Sequence, residues 1–200
     1  MVHEITHLST PLTVGGMSLT QALLQRRSVR AYRRFGSLSL AHLGQLLWAA
    51  QGVTSDDGLR TAPSAGALYP LEIHIVAGVV EELVSGVYHY EPHQHRLIRL
   101  HTGDVRAALA VAALNQSWIQ DAAAILVCSA IYDRTTDKYG HRGVRYVHME
   151  AGHVAQNVLL QATAFELHSA IVGAFDDQAV HETLTTPADC APLYLIPIGH

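Results

Sequence analysis

The chain has little charge. Only 15% of its 200 residues are Asp, Glu, Lys or Arg, and Lys138 is the single lysine. The balance is 13 basic against 17 acidic residues, a formal charge of −4. Binding to a polyanion or an anionic membrane needs net or clustered positive charge, so the overall balance argues against both. Cysteine is scarce as well. Cys128 and Cys190 stand far apart, which excludes a zinc-type Cys pair, a CxxC redox motif and a disulfide framework, and fits a reducing compartment. Long apolar runs are missing: the longest are about ten residues, half of what a membrane span requires. The opening MVHEITHLST has neither a basic nor an apolar region of the kind a signal peptide carries. The expectation is a cytoplasmic protein.

Hydrophobic residues make up 49% of the sequence and the mean hydropathy is +0.16. That excludes global disorder. At 21.7 kDa the chain is long enough to bury a full core without disulfides or metals, and residues 1–200 read as one domain. So little charge also points to surface hidden in an oligomer.

Ser18 and Gln21 form a capping-box pattern for a short helix running toward Arg27. Ser39 caps a second, with Leu40, Leu43, Leu46, Leu47 and Ala50 on one face. Residues 52–70 read as a long loop, a length that is usually functional. Strand patterns cover 72–79, 84–90 and 96–100, the last two flanking a turn at Glu91–Gln94. Residues 105–114 read as a helix, 122–131 as a strand buried on both faces with Cys128 as a small core residue, and 145–167 as a long helix. Two further buried strands are predicted at 169–173 and 193–198. The interleaving, with a hairpin in the middle, predicts an α+β layer fold with a mixed or antiparallel sheet flanked by helices.

Four constellations carry chemistry. In the first, Arg26, Arg27, Arg30, Arg33 and Arg34 are five of the 13 basic residues. With Ser28 they offer forked donors and a hydroxyl to a phosphate. A solvated basic face is the bland reading of such a run. The acidic surroundings favour one bound phosphate over nucleic acid. In the second, Pro63–Pro70 (PSAGALYP), small residues between prolines let backbone approach a flat ligand, although an ordinary surface loop explains it equally well. The third runs from Asp137 to Tyr146. Lysine and tyrosine titrate near 10.4 and 10 when free, and burial or the charges of Arg142 and Arg145 would lower one of them into the range of a working base. From the chemistry alone, a surface loop leading into the long helix is the better reading. The fourth, Ile171–Asp176, ends a strand on Gly173–Ala174. It either presents amides to a ring edge or forms a plain strand-to-helix turn capped by Asp176.

The order RRSVR, PSAGALYP, KYGHRGVRY and GAF over residues 18–199 resembles the nitroreductase flavoprotein family, and within it the SagB-type (ThcOx/McbC-like) dehydrogenase branch. The resemblance implies an α+β sandwich forming an intertwined homodimer, with FMN at the interface. It implies that Arg26, Arg27, Ser28 and Arg30 hold the FMN phosphate and ribityl chain. Pro63, Ser64 and Ala65 would reach the flavin of the other subunit. Gln116 would lie near the polar edge of the isoalloxazine, and Val172, Gly173 and Ala174 would pack at the ring. Lys138 and Tyr139 match a catalytic Lys-Tyr pair. Two departures stand out. The basic residue that many members carry after the last strand is missing, with His200 as a substitute or the arginines sufficing alone. Ala67 and Tyr69 replace the Asn and Gln usual in the second motif of nitro-reducing members.

The implied reaction is dehydrogenation of a thiazoline or oxazoline to the azole. Lys138 or Tyr139 would take a proton while flavin N5 receives hydride, and oxygen would reoxidise the flavin. Heterocyclase or carrier-type synthetase components are the implied partners. Two alternatives remain: an NAD(P)H-dependent nitro- or quinone reductase, and a non-catalytic flavin-binding subunit of a synthetase complex. The fourteen histidines raise a metal module. His89, His93, His95 and His101 sit about the hairpin, and His148 and His153 flank the expected start of the long helix. Those two are five residues apart, roughly 140° around a helix, and no HExxH accompanies them, so no metal site is expected.

Overall fold

A computed structural model describes residues 4–33 and 36–200. Arg34, one of the five clustered arginines, lies outside the described residues, as do the first three residues of the chain. Among the described residues, seven strands form one sheet: β1 (Ile5–His7), β2 (Leu71–Ala77), β3 (Gly86–Glu91), β4 (Arg96–Thr102), β5 (Ala124–Ile131), β6 (His168–Ser169) and β7 (Cys190–Gly199). Their spatial order is β1-β4-β3-β2-β5-β7-β6, and every neighbouring pair is antiparallel. Six α-helices cover it: α1 (Leu19–Gln25), α2 (Leu40–Gln51), α3 (Arg106–Ala112), α4 (Asp133–Tyr139), α5 (Arg142–Ala164) and α6 (Asp177–Leu184). This is the expected α+β class, with the sheet wholly antiparallel.

Strand alternation separates two cores. Ile73 and Ile75 of β2 and Leu126 and Cys128 of β5 face α2 and α5, where Leu43, Leu46, Leu47, Val147, Ala151 and Val154 meet them. Val76, Ile125 and Val127 point the other way, to Leu109 of α3 and Val180 and Leu184 of α6. β5, paired on both edges and covered on both faces, is the buried centre.

The two serine caps form as expected. Ser18 and Gln21 make the reciprocal capping box of α1, and Ser39 accepts from the His42 N–H at the start of α2. Three expectations need correction. The strand predicted at 169–173 shrinks to the two residues of β6, because the ladder continues only as a single bridge from Val172 to Leu195. The segment that carries Lys138 and Tyr139 is the helix α4, not a loop; its polar residues bury only Thr135 and so show no helical period. The long helix runs from Arg142 to Ala164, starting and ending three residues before the expected bounds, with His148 and His153 inside it. Gly143 lets α5 turn back on α4, since a Cβ there would lie 3.0 Å from the Thr135 carbonyl and the Thr136 Cα.

Candidate active site

The arginine segment leaves α1 as an extended strap along the β6–β7 edge. Val29 N–H donates to the Ser169 carbonyl at 3.0 Å, and Arg33 N–H donates to that of His200. His168 Nδ1 lies 2.9 Å from the Ala31 carbonyl, and the Tyr32 hydroxyl donates to the Pro197 carbonyl at 3.1 Å. The backbone and the Tyr32 side chain therefore fix the strap. Arg27, Ser28 and Arg30 are exposed and Arg26 half-buried. Arg27 is engaged locally, donating to the carbonyls of Leu24 (3.0 Å) and Arg26 (2.8 Å) at the negative end of α1. The guanidinium of Arg30 lies 5.8 Å from the ring centre of Trp118, a residue that the sequence reading did not single out.

Trp118 belongs to a 3-10 turn, Ser117–Asp121, which Gln116 precedes. Gln116 Nε2 donates to the carbonyls of Ala113 (3.0 Å) and Ala174 (3.3 Å). Val172 exchanges backbone hydrogen bonds with Leu195 at 2.8 and 2.9 Å, and Gly173 and Ala174 beyond it are exposed. Asp176 caps α6 through the Ala179 N–H at 2.9 Å. Arg30, Trp118, Gln116 and the 172–174 turn thus form one neighbourhood.

The second motif joins the third. Ser64 Oγ accepts from the Tyr69 N–H at 2.9 Å, closing the loop around a short 3-10 turn, Ala65–Ala67. Gly66 has φ +65°, and a Cβ there would sit 2.7 Å from the Tyr139 hydroxyl and 3.0 Å from Lys138 Nζ. Ala67 and Tyr69 are also left-handed, at φ 53° and 47°, and must be held in place by their surroundings. The holding contacts are plain. The guanidinium of Arg60 lies 4.3 Å from the ring centre of Tyr69, the Arg60 N–H donates to the Tyr69 hydroxyl at 3.1 Å, and Arg134 donates to the Tyr69 carbonyl at 3.2 Å. Tyr139 meets Tyr146 edge-on, with ring centres 5.3 Å apart.

Arg134 also pairs with Glu72 at 2.5 Å, and His89 with the other oxygen of Glu72 at 2.6 Å. Burial opposes ionisation of Glu72, but the hydrogen bond from His89 and the charge of Arg134 outweigh it and hold its pKa at about 2. His74 beside them is buried, which pushes its pKa down to about 4. Among the described residues, no three His, Cys, Asp or Glu side chains converge on a metal position. Nor does a hydrogen bond, ion pair or ring contact join the strap's neighbourhood to the loop's among the described residues.

The sequence profile of the nitroreductase family matches residues 23–200. The chain belongs to this family. Nitroreductase-family proteins are flavin-dependent oxidoreductases, and that coarse activity applies here. The nitroreductase-type protein MJ1384 of Methanocaldococcus jannaschii is 46% identical over 183 residues, covering 92% of this chain and 91% of that one. A nitroreductase-type protein from Anabaena variabilis shares the fold with a TM-score of 0.87 at 30% identity, across 99% of this chain and 42% of that one. The microcin B17-processing protein McbC of Escherichia coli is 28% identical over 130 residues, covering 62% of this chain and 48% of McbC. A chain of the E. coli microcin synthetase McbBCD complex superposes with a TM-score of 0.76 at 26% identity, covering 94% of this nitroreductase-family chain and 74% of that chain. The chain thus spans under half of McbC and of the Anabaena protein. No helix among its described residues is long and apolar enough to cross a membrane.

Proposed function

We propose that this nitroreductase-family protein binds FMN across a homodimer interface and dehydrogenates a thiazoline- or oxazoline-type ring to the azole. The observation that carries the reading is the contact of Gly66 with Lys138 and Tyr139, which sets the only lysine and a phenol beside the small-residue loop. The similarity to McbC supports the azoline substrate class, and the McbBCD complex supports synthetase-type partners.

The residues present suit FMN. The half-buried Arg26, the exposed Arg30 and the Ser28 hydroxyl match a phosphate, and a glycine at 66 leaves room that a side chain would fill. In this reading Arg26, Ser28 and Arg30 hold the phosphate, while Arg27 shapes the strap. Gln116 steadies the 172–174 turn at the ring edge, and Pro63, Ser64 and Ala65 close over the ring from the second subunit. Two separate neighbourhoods in one chain fit a site completed by two copies. The exposed Leu19, Leu23 and Leu24 of α1 offer apolar surface for the second copy to cover. FMN held there would supply a two-electron acceptor for the hydride that leaves the substrate. Lys138 or Tyr139 accepts the one proton from the ring α-carbon, and the pair orients the ring.

The first test is the visible spectrum of the purified protein, with identification of the released chromophore. Flavin bands and FMN are expected; a colourless protein that takes up no added FMN overturns the reading. Replacing Lys138 and Tyr139 together should abolish turnover of an azoline peptide and leave FMN bound. The 46% identity to MJ1384 favours a second reading, an NAD(P)H-dependent reductase. Rapid bleaching of the flavin by NAD(P)H, with none by an azoline, would select it.

A further inference from the structure

Glu150 lies in the middle of α5 on its buried face, only 2% exposed, where the neighbouring inward positions are Val147, Ala151 and Val154. A carboxylate in such a place costs several kcal/mol unless donors surround it. Neither of its oxygens has a hydrogen-bond partner, yet three donor groups face it. Gln51, at the end of α2, has its side-chain oxygen taken by Arg60 at 2.9 Å, and its Nε2 is buried without a partner. Arg60 Nε is likewise buried and unpartnered. Ser64 Oγ accepts from the Tyr69 N–H, so its own proton is free to donate. Two orphaned acceptors and two orphaned donors in one buried pocket are complementary. A small side-chain rotation or an internal water would join them.

We propose that Glu150 is a positioning residue: its carboxylate, seated among Gln51, Arg60 and Ser64, fastens the 60–69 loop to α5 and so sets where Pro63–Ala65 stand relative to Lys138 and Tyr139. The same helix starts three residues after Tyr139 and packs back on α4 at Gly143, so α5 adjoins both the loop and the helix that carries Lys138 and Tyr139. Arg60 transmits the constraint, since it stacks on Tyr69 and bonds the Tyr69 hydroxyl. That accounts for two non-glycine residues, Ala67 and Tyr69, kept left-handed in an exposed loop.

The inference deepens the FMN reading, but its first test needs no cofactor. Hydrogen exchange is measured on the apoprotein for the wild type, Glu150→Gln and Glu150→Met. The methionine removes the buried charge at similar volume, so thermal stability should hold or rise. Exchange over residues 60–69 should nevertheless accelerate about tenfold in both variants, the effect of one hydrogen bond to a charged group. Unchanged exchange in the loop overturns the proposal. So does acceleration spread evenly over α5 and the sheet, which would mark a purely structural role. FMN titration is the second readout. Glu150→Gln should weaken binding about tenfold in the wild type and have no effect in a Ser64→Ala background. Equal weakening in both backgrounds also overturns it. If the wild type binds no FMN, the FMN reading fails by itself and the exchange experiment decides the role of Glu150.

Discussion

The strap at 26–33 and the loop at 60–69 are built in opposite ways. Backbone donors of Val29 and Arg33, together with the Ala31 carbonyl, hold the strap to the sheet edge, and Ser28 and Arg30 are left exposed. The loop is held by side chains: Arg60 on the Tyr69 ring, Arg134 on the Tyr69 carbonyl and Ser64 on the Tyr69 N–H. A flexible arginine set can close on an anion that arrives, whereas a left-handed loop under a Lys-Tyr pair is shaped in advance. Substitutions in the strap should therefore alter ligand affinity and leave folding alone. Substitutions around the loop should alter order and chemistry first.

The largest expected effect tests the strap. Replacing both Arg26 and Arg30 by alanine should weaken FMN binding by roughly a hundredfold or more, from the loss of two charge-assisted contacts. The melting temperature of the apoprotein should stay near that of the wild type. Calorimetric titration and thermal unfolding read the two quantities, and unchanged affinity would remove the phosphate from this strap.

Acid should undo the loop's supports before the strap's. His74 is held neutral, so between pH 6.5 and about 4 the unfolded chain binds a proton that the folded chain refuses. Stability should fall across that window by an amount on the order of 3 kcal/mol. Glu72 ionises more readily folded than unfolded; its contribution is present above pH 4.5 and is lost as the pH drops toward about 2. Denaturant unfolding against pH would show both segments, and His74→Leu should flatten only the upper one. A slope unchanged in that variant would assign the acid sensitivity elsewhere.

Gly66→Ala sharpens the comparison at the contact itself. The positive φ costs about 1 kcal/mol for any residue with a Cβ. The added methyl would also displace the Tyr139 hydroxyl and Lys138 Nζ. Turnover should drop by more than FMN affinity does; steady-state kinetics beside an FMN titration would reveal the reverse. The smallest effect belongs to the helix before the strap. Ser18→Ala should cost about 1 kcal/mol by removing the cap of α1, with FMN affinity nearly unchanged. A large loss of affinity would mean that α1 positions the arginines more tightly than their exposure implies.

Much of the fold was legible because its signals are local. Ser18 and Ser39 announce their helices by hydrogen bonds three residues away, and the alternation through Ile73, Ile75 and Val76 declares two buried faces. The two-residue β6 was overread because an apolar segment at a sheet edge looks like a strand, while here the Ser169 carbonyl is taken by Val29 of the strap. Helix α4 was missed because it stands on partners, Glu72 and Tyr69, rather than on an apolar stripe. Trp118 and Glu150 escaped notice for the same reason: a lone tryptophan and a lone glutamate gain meaning only from what faces them.

The sequence by itself determined most of the elements, the two serine caps, the two-faced sheet and the residue types able to grip a phosphate or move a proton. Those are properties of neighbours along the chain, written in spacing and propensity. Only the tertiary structure decided which motifs meet. Gly66 lies against Lys138 and Tyr139, and Arg30 reaches the 172–174 turn by way of Trp118 and Gln116. Such meetings join residues far apart in the chain. They exist only because the buried sheet closes the intervening segments at once, and no local period carries that information.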